Sequence, residues 1–271
     1  MVVRHHRRGR LIFDRDAIVR AALRAYVEAV IGNIGPANFP PCSEPGWTGS
    51  PQRGAFYNGN GSGAYGVVAW TEAGVVGLAY ELGFGPIEQL GLSVDAVTGG
   101  PDDVRGALPG LPDELEPALV IAVGMLGVGP EHGQRDAGVG FWLYGDRVAG
   151  TLFDDPTAAG ADRLTPWGLL QNGRLPRVVE PSAAAKAAEL DRTRYAPLNA
   201  TLDAVVDRAL TGPTELTTAE LETLVYPEPD PERLLGAQRM LQKAGITWPG
   251  SPEIPPLPKP TGRNPFLQKP V

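Results

Sequence analysis

The residues that could do chemistry are few, and the first group is a glycine-rich run. Gly61-Ser62-Gly63-Ala64-Tyr65-Gly66-Val67-Val68 has the spacing G-x-G-x-x-G-x-V, the form of a loop that folds over nucleotide phosphates before a hairpin. That chemistry also needs a lysine on the returning strand, and the chain has no lysine before Lys186. No D-F-G triplet occurs, and H-G-Q-R-D at 132–136 lacks the asparagine that should follow it. A dinucleotide fold would place the glycines between a strand and a helix, whereas a strand follows here. The absence of G-K-[ST] removes a P-loop. What remains is a glycine-rich turn at 58–66, offering Asn58, Asn60, Ser62 and Tyr65 as polar binding groups.

A second group is His132 with Glu131 and Asp136 in G-V-G-P-E-H-G-Q-R-D-A-G. One histidine and two loop carboxylates fall short of the converging ligands a metal site needs. His132 is instead read as the acid or base of an alternative enzyme or small-ligand site. Cys42 is the single cysteine, so no internal disulfide or cysteine-based zinc site is expected. A thiol nucleophile there would need a histidine beside it. Asp102-Asp103 and Asp154-Asp155 read as solvated loop acids, and Asp155-Pro156 is a natural turn start. No metal, cofactor or catalytic residue is expected.

The elements that would position these groups start at Gly54–Tyr80. There a glycine-rich loop leads into apolar strands at Tyr65–Trp70 and Val75–Tyr80, joined by a turn ending in Gly74. A second hairpin is predicted over Val139–Phe153, with Gly145-Asp146 splitting F-W-L-Y from R-V-A-G-T-L-F. Alternation sends Phe141 and Leu143 to one face, Trp142 and Tyr144 to the other. One pair enters the core. The other is covered by a helix or forms a binding patch, so Trp142 and Tyr144 join the candidate binding residues.

Before these hairpins, Asp14 caps a helix through Ile31 whose apolar stripe is Val19, Leu23, Tyr26 and Val30. Asp16, Arg20, Arg24 and Glu28 line its opposite, solvent-facing side. Residues Gly35–Gly54 are a structureless Pro/Gly-rich connection that Phe39 and Trp47 could pin by burial. Pro112–Leu126 reads as a helix opened by acids, although its apolar run would also suit a buried strand. A short helix is placed at Pro86–Leu90.

From Glu180 the pattern is helical: Ser182–Arg192, then Thr201–Leu210 with Leu202, Val205, Val206 and Ala209 on one face. Thr217 and Glu220 have capping-box spacing, and Asp230-Pro231 opens a last helix closing at Gly245. The second of these helices does not read as a DNA-recognition helix, because acids offset Arg233, Arg239 and Lys243. The end of the chain, Trp248–Val271, is proline-rich and favours an extended path, with Phe266 and Leu267 as anchors on its own body or on a neighbour.

The fold class expected is α+β: a mainly antiparallel sheet of hairpins packed on helices, a helical segment, then an extended proline-rich tail. The divisions are 1–160, 180–247 and 248–271. With 271 residues the chain is long enough for a substantial core, and Gly 35 with Pro 28 marks many turns. The formal charge of −7 argues against nucleic acid and acidic membranes and suits a basic protein partner. The basic start M-V-V-R-H-H-R-R-G-R has no apolar core after it, so a secretory signal is not expected. The Ala, Gly, Pro and Arg usage suggests a GC-rich bacterial coding sequence, and with no apolar run of membrane-spanning length cytoplasmic residence is expected. The function expected is non-enzymatic protein interaction, as an assembly subunit or as an acidic binder neutralising a partner such as a toxin.

Overall fold

The computed structural model describes residues 14–36, 45–59, 64–81, 104–126, 139–154 and 195–249. Six strands form one sheet in sequence order, each antiparallel to the next. They are β1 (Gly46–Gly49), β2 (Gly54–Gly59), β3 (Ala64–Thr71), β4 (Gly74–Glu81), β5 (Val139–Tyr144) and β6 (Arg147–Ala149). The α+β class with an antiparallel sheet and helices is therefore what the chain adopts.

Both predicted hairpins form, and they sit side by side because β4 also pairs with β5. Tight turns serve one end of the sheet. Gly145 supplies positive φ (61°) in the two-residue turn before β6. Ser50 and Arg53 close the β1–β2 turn by exchanging backbone hydrogen bonds of 2.9 and 3.1 Å.

Two strand expectations are corrected. The segment Gly35–Gly54 is not structureless throughout, because Gly46–Gly49 is the edge strand β1. Trp47 is buried within it and stacks on Tyr26 and Trp70, which gives this glycine-flanked strand its hold. The second hairpin is shorter than R-V-A-G-T-L-F suggests. Pairing stops at Ala149, Gly150 turns the chain at φ 136°, and Thr151–Asp154 is a single helical turn, α3. A Cβ at Gly150 would stand 2.2 Å from the Gly140 carbonyl oxygen, too close for any side chain.

Helix α1 (Arg15–Ile31) begins as expected, with the Asp14 carboxylate accepting from the Ala17 N–H at 2.8 Å. The rest of it departs from an amphipathic surface helix. Every residue from Ala22 to Ile31 is buried, Arg24 and Glu28 included. The sheet lies on one side, while α4 (Ala196–Thr211) and α6 (Pro231–Lys243) close the others. The supposed solvent face is thus a helix–helix interface. Arg24 pairs with Glu28 and donates to Asp203 at 2.9 Å and Asn199 at 3.0 Å. Arg20 reaches Asp207 at 2.7 Å and Asp203 at 3.1 Å. A guanidinium spreads its donors in a plane, so one arginine can serve several acceptors at once.

Across the sheet, Pro112 and Asp113–Leu115 lead into α2 (Glu116–Leu126), confirming helix over strand. Leu115 from the lead-in and Leu119, Ala122 and Val123 from α2 pack on Val67, Ala69, Val76, Leu78 and Trp142. The sheet is therefore covered on both faces by the chain's own helices, in three layers. Near the C-terminus, α5 (Thr218–Leu224) has the full capping box, and Glu220 also takes a two-pronged contact from Arg208 at 2.7 and 2.8 Å. A small parallel pair, β7 (Thr214–Glu215) and β8 (Ile246–Thr247), ties α4 to α6. Trp248 is buried in the same apolar cluster as α1. The short helix expected at 86–90, the Ala-rich helix at 182–192 and the tail beyond 249 lie outside the described residues.

Two outcomes test these contacts. Gly77 lies under the Phe141 ring, where a Cβ would meet Cε1 at 2.2 Å. Gly77→Ala should cost about 1–3 kcal/mol in urea unfolding, the usual penalty for overfilling a packed core. Arg24→Met, which takes the guanidinium away from the buried Glu28 carboxylate, should cost about 3–5 kcal/mol. Adding Glu28→Leu should recover most of that loss.

Candidate functional site

The tight turns at 50–53, 72–73 and 145–146 share one end of the sheet, as the strand pairing requires. Arg15 fastens the start of α1 to this end, donating to the carbonyls of Thr71 (2.6 Å), Pro51 (2.8 Å) and Gln52 (2.6 Å). The opposite end receives the chain from 37–44 into β1 and gives off or takes in the connections 60–63, 82–103 and 127–138. The chain also leaves towards 155 from there, since the Thr151 hydroxyl accepts from the Gly140 N–H at 3.1 Å. Five separate connections thus meet one end of a rigid sheet, a common arrangement for binding loops.

The glycine-rich stretch is corrected here. Gly54–Gly59 is strand, not loop, and Asn58 lies inside it opposite Gly66. Asn58 shares its face with Phe56, the face that α1 covers. It is 1% exposed, and neither its Oδ1 nor its Nδ2 has a hydrogen-bond partner. An expected exposed binding group is therefore a buried carboxamide. On the α2 side, the half-buried rings of Tyr57 and Tyr65 stand 5.8 Å apart. Tyr65 was legible as a candidate; Tyr57 was hidden in a stretch read as loop.

Trp142 and Tyr144 fall on the α2 side, as alternation requires. Trp142 is 3% exposed, donates to the Pro109 carbonyl at 3.1 Å and lies under the Arg147 guanidinium. The idea of an exposed patch at Trp142 is corrected, because the chain's own α2 layer covers it. Tyr144, at the rim, donates to Glu114 at 3.1 Å, and the carboxylate that accepts this proton raises the phenol's pKa. Tyr65 belongs to the end with the long connections, Tyr144 to the end with the tight turns, so the structure does not bring the candidates together. Asn60, Ser62, His132, Phe266 and Leu267 lie outside the described residues, as do Cys42 and Asp102-Asp103.

Among the described residues, no three His, Cys, Asp or Glu side chains are grouped to hold a metal ion. Among them, too, no helix is long and apolar enough to cross a membrane. Tyr26 is the buried titratable group with the clearest shift: burial pushes its phenol well above the usual range, where it donates to the Met240 carbonyl. A phenol held neutral in this way works as a strut between α1 and α6, and it has no proton to give up near neutrality.

Trp142→Ala should cost about 3–5 kcal/mol in urea unfolding, the range for emptying a core of a large aromatic ring. A loss within the noise of the measurement would return Trp142 to the surface. No family model matches the chain, and neither a curated protein nor a solved structure does.

Proposed function

We propose that this chain is a protein-interaction module of a bacterial cytoplasm, either a subunit of a larger assembly or an acidic binder that neutralises a basic partner such as a toxin. The observation that carries the reading is the meeting of five connections at one end of a three-layered sheet. A rigid scaffold fixes where the connections begin and end, which lowers the ordering cost of binding. The Tyr57–Tyr65 pair borders this end on the α2 side. Paired tyrosines offer large, stiff contact area with a polar tip, the make-up of many interface anchors. The charge of −7 favours a partner of opposite sign.

A second reading, a small-ligand binder or enzyme that uses the 58–66 stretch with His132, is favoured by one observation. Among the described residues, the buried Asn58 carboxamide has no hydrogen-bond partner.

The leading reading is tested with the full chain purified from its native host. Light scattering should show a self-assembly or a stoichiometric complex, and Tyr65→Ala should weaken it at least about tenfold, as a hot-spot truncation does. Removing residues 250–271 tests the proline-rich arm while sparing the buried Trp248. A monomer with no stoichiometric partner overturns the reading. So does an assembly indifferent to both changes.

A further inference from the structure

The α1-facing side of the sheet is laid out in rows set by the strand register. One row is Trp47, Phe56, Val68, Gly77 and Phe141, with the Phe141 ring filling the space over Gly77. The next row towards the long connections is Asn58, Gly66, Ala79 and Val139. Aromatic bulk stops between the two. Gly66 has no side chain, Ala79 only a methyl group and Val139 only an apolar one, so Asn58 is the one polar side chain in its row.

A carboxamide carries one acceptor and two donors. Burying it with none of them bonded costs about 1–3 kcal/mol, which a leucine of similar size would not incur. Thr71 also has a buried, unbonded hydroxyl, but that is one group at the tight-turn end, whereas Asn58 offers a donor and an acceptor side by side. Buried polar atoms without partners among the described residues call for an explanation, and a bound molecule supplies one.

We propose that Asn58 is the recognition group of an interior small-molecule site on the α1-facing row Asn58–Gly66–Ala79–Val139. The ligand is a flat molecule with an amide-type edge, a carboxamide, lactam or nucleobase. Its carbonyl accepts from Nδ2 and its N–H donates to Oδ1. Its apolar remainder lies along the row against Ala79 and Val139. This rests on the second, small-ligand reading above and gives that reading a ligand class.

The test uses the full chain, with nicotinamide and uracil as amide-edged probes and toluene as an apolar probe. Nicotinamide or uracil should raise the melting temperature and move the side-chain amide proton–nitrogen resonances of Asn58, and toluene should do neither. Asn58→Leu should melt higher than the parent without ligand and lose the response to both amide probes. If Asn58→Leu fails to fold, Asn58→Ala takes its place, and the resonance shifts of the parent decide independently of either variant. A toluene response alone would overturn the amide class while leaving a ligand site standing. No response to any probe would overturn the site on this row, whereas the small-ligand reading falls only if His132→Ala also leaves the binding of every candidate ligand unchanged. Unchanged amide-probe binding in Asn58→Leu would remove Asn58 from it.

Discussion

The structure depends on how α1 is enclosed. A helix with the sheet on one side and α4 and α6 on the others has no solvent face for its charged residues. Arg24 pairs with Glu28 there, and Asp203 and Asn199 reach the Arg24 guanidinium from α4. The net energy of such a set is modest, since desolvating the charges offsets most of their attraction. Its directional demand is large. The acceptors must arrive at one depth and angle along α1, so the network sets the register between the N-terminal helix and a helix some 180 residues later.

With that register set, the rest of the packing follows. The α1-facing cluster runs from Ile18 through the sheet to Leu241, Ile246 and Trp248. The opposite face is closed by α2, whose leucines and alanines cover Val67, Val76 and Trp142. A sheet covered on both faces can present only its edges and ends, and here the two ends are unlike. One is closed by short turns and by Arg15. The other collects the long connections, the tyrosine pair and the buried carboxamide of Asn58. Aromatic side chains on the sheet faces hold the layers together.

Local pattern carried well wherever a residue acts on near neighbours. Asp14, the Thr217–Glu220 box, Asp230-Pro231, Gly145 and the acids before α2 all do their work within a few positions along the chain. The alternation of Phe141, Trp142, Leu143 and Tyr144 also held, since a strand's period is a backbone property. The strand Gly46–Gly49 was illegible because glycines flank it and its stability comes from Trp47 meeting Tyr26 and Trp70. Gly54–Gly59 was read as loop for a similar reason, its glycines hiding a strand that pairing on both sides imposes.

The chain's order of residues determined the α+β class, the hairpins, the helix starts and which strand residues share a face, because these follow from backbone periods and short-range capping. Only the tertiary structure decided that Arg24 and Glu28 are interior, that Trp142 is covered and that Asn58 is buried without a partner. Burial depends on what arrives from far along the chain, and a helix or strand with a polar side gives no local sign of whether water or another layer will meet it.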